Sequence, residues 1–345
     1  MKNKIKILLI SALALVLGLG TVHAFSINEM TLKFAQLSDT HISDRDNTSY
    51  KLLAQSKPLM AAAVRQLNKI ENIDFVMFTG DLVDSAYLQS YRDFFTILSD
   101  LRYPSLVAFG NHDTASISSE TGKLVPENTL SKPEVLKMFQ DAIPNYRFDK
   151  TYYALSPKKD YRIIVLDAVI GKDLTPNGFM SDEQLEFLDN ELNEHQDKVI
   201  VIFQHHPLVQ PFESSHHKIL NADKYLEILQ KYKNPIAIFS GHYHTTKIIK
   251  QDNILHVSTP SLVTYPNAFR VVSITNYKDR TIFDFYFHET TMKDTQAEAK
   301  ALAIASASFA GKDTDRMTTI TMMKSGRGGT KNTKAPKVTE DEILD

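Results

Sequence analysis

The sequence predicts an α/β fold on three observations. Six short apolar runs, residues 32–37, 75–79, 106–109, 163–166, 199–203 and 236–239, show little polar alternation, as strands covered on both faces do. Helical spacing separates several of them: Met60, Val64, Leu67 and Ile70 recur at three- to four-residue intervals, Tyr91, Phe94, Phe95 and Leu98 share one face, and so do Leu185, Leu188 and Leu192. The length of 345 residues with 43% hydrophobic content is enough for a sizeable core, in one large domain or two small ones.

In chain order, residues 1–24 read as a secretory signal. Lys2, Lys4 and Lys6 form a basic start, residues 7–20 an apolar stretch, and Val22-His23-Ala24 a small-residue cleavage site. The stretch falls short of the ~20 residues that span a bilayer, so cleavage before Phe25 is expected rather than a membrane anchor. With no cysteine at the cleavage site there is no lipid attachment, and the mature protein is expected in the periplasm or outside the cell. Residues 25–290 form the predicted domain. Within it Ser181 and Gln184 fit a capping box opening the third helix. After residue 244 the pattern turns to hairpin strands at 254–258, 268–275 and 281–287, with a turn at 277–280 before the last. Residues 291–323, Ala-rich up to 310, read as a helical extension, and residues 324–345, rich in Gly, Lys and Thr, as a disordered tail. No internal repeat is present.

Composition excludes several classes. Lys plus Arg number 39 against 41 Asp plus Glu, a net charge of −2, which becomes 36 − 41 = −5 once the three signal lysines are removed. A nucleic-acid partner is therefore not expected, since such proteins cluster basic residues against phosphates. Zero cysteines exclude disulfides, thiolate metal sites and a cysteine nucleophile. Any metal must sit on His, Asp, Glu or Asn.

Five polar clusters follow those apolar runs: Asp39-Thr40-His41, Gly80 to Asp84, Gly110-Asn111-His112-Asp113, His205-His206-Pro207 and Gly241-His242-Tyr243-His244. Parallel strands would bring them to one carboxyl-end rim, where open α/β sheets bind ligands. So many His and Asp side chains in one place need cations to offset their mutual repulsion and desolvation. Carboxylate, imidazole and amide oxygen without thiolate suit Mn, Fe, Zn, Co or Ni. The set is too large for one ion. Two divalent or trivalent ions bridged by a carboxylate would use it and would activate water for in-line attack on phosphorus.

At these residues the sequence resembles the calcineurin-like metallophosphoesterase superfamily, whose blocks DxH, GDxxD, GNHD, an HHP-type histidine and GHxH occur here in family order. The resemblance spans roughly residues 32–288. It implies a four-layer αββα sandwich of two mixed sheets flanked by helices, with residues 25–290 as the catalytic domain. It assigns Asp39, His41, Asp81 and His244 to one metal and Asp81, Asn111, His205 and His242 to the other, with Asp81 bridging; the alternative exchanges His205 for His206. A metal-activated hydroxide then attacks phosphorus while His112 stabilises the transition state or protonates the leaving oxygen. Asp113 orients His112 on this reading, and His206 touches the phosphate.

Departures from known subfamilies narrow the comparison. Purple acid phosphatases place Tyr where Asp84 stands, and Ser/Thr protein phosphatases continue with Arg-Gly where Ser85-Ala86 follows. Exported 5′-nucleotidases carry a large further domain, and the DNA-repair nucleases a basic surface. The remaining resemblance is to the small bacterial phosphodiesterase group with class III cyclic-nucleotide and glycerophosphodiester hydrolases. The expected function is an exported dimetal hydrolase of small phosphodiesters. A phosphomonoesterase on the same ligands and a non-catalytic metal-binding protein on this scaffold are the two alternatives.

Other residues carry two readings. Asp84 either supports a ligand or caps the next helix, and Arg45 either meets a substrate phosphate or is a surface residue. Tyr265 and Phe269 either line the cleft or pack it. Asp167 reads as structural, and His216-His217 as a solvated loop.

Overall fold

The computed structural model describes residues 30–144, 146–303 and 306–324. The expected signal segment and the expected tail beyond Lys324 lie outside these described residues. The chain begins with β1 (Thr31–Leu37), α1 (Ser56–Leu67), β2 (Phe75–Thr79), α2 (Leu88–Leu98) and β3 (Ser105–Ala108), and continues through β4 (Ser116–Ile117), β5 (Leu124–Val125) and α3 (Lys132–Ala142). There follow β6 (Tyr153–Leu155), β7 (Tyr161–Val165), α4 (Asp182–Glu194), β8 (Val199–Phe203), α5 (Ala222–Gln230) and β9 (Ile236–Ser240). The last elements are β10 (Lys247–Gln251), β11 (Ile254–Ser258), β12 (Ala268–Asn276), β13 (Arg280–Glu289), α6 (Lys293–Leu302), α7 (Ser306–Ala310), α8 (Asp313–Arg316) and β14 (Thr318–Met323).

Two mixed six-stranded sheets carry the fold, in the orders β14-β13-β12-β1-β2-β3 and β10-β11-β9-β8-β7-β6. The six expected strands occupy their centres, with β1, β2 and β3 parallel in one sheet and β7, β8 and β9 parallel in the other. The sheets meet face to face through aromatic rings: Phe34 of β1 stands edge-on to Phe203 of β8 and Phe239 of β9, each at 5.1 Å. Outside one sheet α2 packs Phe94 against Phe78 of β2. Outside the other, Leu185 and Leu188 of α4 and Tyr225 of α5 cluster with Ile200, Ile202 and Ile238. This is the four-layer αββα sandwich. Continuous apolar strands result because each central strand has a core on both faces.

Three local expectations need correction. Residues 254–258 form no hairpin with the next strand, β12: as β11 they run antiparallel to β10 and parallel to β9, in the second sheet. The strand β10 went unforeseen because its KIIKQ sequence is only half-buried at a sheet edge. The extension 291–323 is not helical throughout, since its end is β14, paired antiparallel with β13. Its TTITMM sequence alternates β-branched or long apolar residues with exposed ones, which suits an edge strand better than the Ala-rich composition before it suggested. At α4, Ser181 accepts from Gln184 N as expected, but the Gln184 side chain turns to the backbone of Asp167 rather than back to the cap.

Phe34 is fully buried among rings from both sheets, so Phe34→Ala opens a cavity at the centre. The expected loss is about 3–5 kcal/mol in denaturant unfolding, against less than about 0.5 kcal/mol for Tyr286→Ala on the exposed face of β13.

Candidate metal centre

The parallel strands deliver the five clusters to one rim. Asp39 and His41 follow β1, Asp81 and Asp84 follow β2, Asn111, His112 and Asp113 follow β3, His205 and His206 follow β8, and His242 and His244 follow β9. Beyond the strands the first two loops stay paired, with His41 N donating to Asp81 O at 2.9 Å and Ile42 bridging Val83 in parallel. Asp39, His41, Asp81, His242 and His244 all have left-handed backbone, φ between 41° and 71°. Non-glycine residues rarely adopt that conformation, and its concentration here marks a site where the surrounding structure over-determines the turns. Gly80 (φ 85°) shows why glycine is needed beside them: a Cβ there would stand 2.7 Å from His205 Nδ1 and from Gly110 N.

Three groups of ligand-type atoms converge within 4.8 Å: Asp39, His41 and His244; Asp81, His205 and His242; and His41, Asp81 and His112. His41 Nε2 and His244 Nε2 face each other at 3.2 Å, with Asp39 Oδ1 3.3 Å from His244 Nε2. His205 Nε2 lies 3.1 Å from His242 Nδ1 and 3.2 Å from Asp81 Oδ2. The other Asp81 oxygen accepts from His112 N at 2.9 Å. Facing ring nitrogens can share at most one proton, so these lone pairs are better satisfied by a cation. His242 Nε2 and Asn111 Oδ1, both buried, have no hydrogen-bond partner among the described residues. A donor set of carboxylates, imidazoles and one amide, with such orphaned atoms, fits two transition-metal ions.

Partners behind the rings fix their orientation, as metal-binding histidines generally require. His205 Nδ1 donates to Thr79 O at 2.9 Å, and His244 Nδ1 lies 2.8 Å from Thr264 Oγ1. Asp84 Oδ1 sits 3.5 Å from His41 Nδ1, while its Oδ2 accepts from Arg45 Nη1 at 2.7 Å and its carbonyl accepts from His112 Nδ1 at 2.7 Å. Asp84 therefore supports the cluster and caps no helix; the residue at the start of α2 is Tyr87.

Electrostatics follow the geometry. Burial raises the Asp81 carboxyl, but the surrounding histidines, His205 foremost, outweigh it and hold Asp81 well below the usual carboxylate range. Burial opposes a charged His205, yet the carboxylates of Asp81 and Asp39 raise it to about 9. Burial, then the Lys51 cation, lowers His41 to about 3, and burial also depresses His242 and His244. Asp113 is pushed up to about 8, by burial first and the Asp81 charge second.

Some expected roles shift. Asp113 does not orient the His112 ring; its oxygens accept from Leu82 N and Gly110 N, both at 2.7 Å, and tie the second cluster to the third. His206 is fully buried, its ring 4.4 Å from that of His242 and against Gly178. His205, not His206, is the ring that meets Asp81. Of the pair expected in a solvated loop, His216 is exposed, but the His217 ring lies 5.3 Å from His242. Phe269 packs, stacked on His288, and Tyr265 packs beside Leu52, Leu59 and Val263. Asp167 is structural, held by Lys132 Nζ and Thr151 Oγ1. Of the two readings of Asp84 the supporting one holds, while Thr79 and Thr264 as ring supports, and the His217 contact, are what the sequence alone did not assign. Beside the cluster opens a cleft of about 330 Å³, lined among others by Arg45, Asp84, Asn111, His112, Ile170 and Leu174.

The chain is similar to known proteins in sequence and in fold. The chain is 28% identical over 222 residues to a probable cyclic nucleotide phosphodiesterase of Rhodopseudomonas palustris, covering 62% of this chain and 72% of that one. It is also 28% identical over 233 residues to a probable glycerophosphodiester phosphodiesterase of Arcobacter nitrofigilis, covering 66% and 77%. Its fold is similar to that of a dimetal phosphatase from Danio rerio, with a TM-score of 0.59 and 17% identity over 75% of this chain and 99% of that one. The family model for Calcineurin-like phosphoesterase matches residues 32–246, which include every ligand-type residue of the rim. The chain thus belongs to the calcineurin-like phosphoesterase family and is a metal-dependent phosphoesterase.

Proposed function

We propose that the protein hydrolyses small phosphodiesters at two transition-metal ions held by Asp39, His41, Asp81 and His244 and by Asp81, Asn111, His205 and His242. The observation that carries this reading is the convergence of two groups of buried ligand atoms around Asp81, with Asn111 and His112 opening onto the cleft. Bound there, the ions supply an activated water and offset charge on the phosphoryl oxygens. Thr79, Asp84 and Thr264 orient the rings that hold them. Asp113 keeps the second and third loops in register.

His112 acts on the leaving group. Its Nδ1 donates to Asp84 O, so Nε2 is the ring atom that faces the reaction; with a proton on Nε2 as well, the imidazolium gives that proton to the departing oxygen, or a hydrogen bond to the phosphoryl group, and the proton shed by the attacking water restores it. Water thereby adds across the P–O bond, its oxygen going to phosphorus and a proton to the alcohol released. The preference for diesters rests on the relatives, whose names specify cyclic-nucleotide and glycerophosphodiester substrates. Among the described residues no helix is long and apolar enough to cross a membrane, and the basic and apolar pattern of residues 1–24 supports export.

Asp81→Asn and Asn111→Ala are expected to abolish turnover. His112→Ala lowers kcat by about 10²–10⁴ with two metals still counted by elemental analysis; loss of a metal in that variant would overturn the role given to His112. Paired aryl diesters and monoesters, run with cyclic nucleotides and glycerophosphodiesters, test the substrate class, and a large monoester preference would sink the diesterase reading.

A second prediction concerns protons. His205, raised to about 9, is protonated at pH 7 in the metal-free protein and must lose that proton to coordinate. Metal affinity therefore rises with pH up to about 9. Calorimetric titration at pH 7 in buffers of different ionisation enthalpy is expected to show proton release, and a buffer-independent enthalpy would remove His205 from the ligand set. For export, N-terminal sequencing of protein from the producing cell is expected to begin at Phe25, and an intact Met1 end would count against cleavage.

A further inference from the structure

Arg270 sits on β12 opposite Gln36 of β1 and Phe287 of β13. It shares the inward face of its sheet with Val272, whose partner Phe34 points at the second sheet, so the guanidinium lies between the sheets. The residue is fully buried. Its Nη2 donates to Ser258 O of β11 at 3.1 Å, and its Nε and Nη1, also buried, have no hydrogen-bond partner among the described residues.

The neighbouring groups do not satisfy them. The Gln36 amide is committed to Thr79, Ser240 and Thr259. Asp315 of α8 is the carboxylate whose charge reaches Arg270, but its oxygens accept from Ile248 N at 3.0 Å, Lys312 N at 3.2 Å and Lys247 Nζ at 3.4 Å. Arg316 stands 5.5 Å from the centre of the Phe287 ring, to which Arg270 lies at 5.9 Å. Lys247 and Arg270 thus share the one carboxylate of Asp315, while Arg316 donates to Ala310 O. The ring faces offset part of a cation's desolvation but supply no acceptor for its N–H groups.

We propose that Arg270 anchors a buried monovalent anion of the halide class, chloride in ordinary buffers, at the junction of both sheets with the C-terminal segment. The chemistry favours a small monatomic ion: the orphaned groups are two N–H donors of one guanidinium, and the residue that carries them is fully closed to solvent. The enclosing segment is docked close by, through Phe309 O on Thr246 N at 2.9 Å and Ser308 O on Thr245 Oγ1 at 2.5 Å, directly after His244. An anion here would therefore link the ionic medium to the seating of α7 and α8 without touching the reaction.

The test compares thermal unfolding of the full-length protein in sodium chloride, bromide and gluconate at matched ionic strength. Wild type is expected to gain about 5 °C in Tm at a hundredfold excess of halide over its dissociation constant, relative to gluconate. Arg270→Met is expected to lose that difference. Equal Tm values in the three salts, or a halide response that survives in Arg270→Met, overturns the proposal. If that variant does not fold, bromide-soaked crystals of wild type decide: an anomalous peak beside Arg270 Nε and Nη1 supports the site, and a buried water only, with no bromide, overturns it.

Discussion

The Asp81 carboxylate joins loops from both sheets. One oxygen receives His112 N from the third loop, the other meets His205 of the second sheet, and His41 of the first loop lies 3.7 Å from the same oxygen. An ionised carboxylate at 2% exposure is unfavourable unless charge and hydrogen bonds compensate. Compensation here comes from both sheets at once, so the two sheets are locked together at the rim by the group that a pair of cations would share. Family membership and the orphaned ligand atoms lead to the same place: the polar rim is assembled for metal ions, and the protein alone satisfies it incompletely.

That assembly needs a rigid base. The interlocked rings of Phe34, Phe203 and Phe239 fix the spacing of the sheets below the rim, and close packing resists change there. Above them the ligand-bearing turns take left-handed backbone at five of the residues that hold the cluster. Strain of that kind persists only where packing and hydrogen bonds leave no alternative, and the loops supply these: Asp39 N bonds Gly80 O, Gly241 N bonds His205 O, and Asp113 binds two loops by their amides. Stability of the core is therefore converted into accuracy at the rim.

The central strands and the ligand residues were legible in the sequence for one reason: both are local patterns. A strand buried on both faces is a continuous apolar run, and a chelating turn is a short polar cluster at its carboxyl end. Elements with weaker local signatures escaped. The half-buried β10 carries lysine on both sides of its apolar pair, and β14 comes after Ala-rich sequence that suggests helix. Supports such as Thr264 and Thr79 have no pattern at all, because a hydroxyl or a carbonyl becomes a histidine partner only once the chain has folded. Asp113 misled for the opposite reason: adjacency to His112 suggested a side-chain contact, whereas successive residues in a turn point apart and Asp113 faces backbone amides.

The division between what is fixed and what is free to vary also explains where specificity resides. The ligand-type residues occupy turns tied to central strands, and their geometry leaves little room for change. The cleft beside them takes its walls from elsewhere, Thr114, Ser116 and Pro126 from the segment after β3 and Ile170, Leu174 and Pro176 from the segment after β7. Loops on a rigid scaffold tolerate substitution and insertion far better than the strands that support them. Relatives with different named substrates can therefore share one kind of rim, while the walls of the cleft come from loops that are freer to differ. Arg45 stands where the two meet: it lines the cleft and is held by Asp84, whose other oxygen faces His41. A substrate group that engages Arg45 is therefore in electrostatic contact with the ligand cluster through one carboxylate, which couples recognition to the centre that reacts.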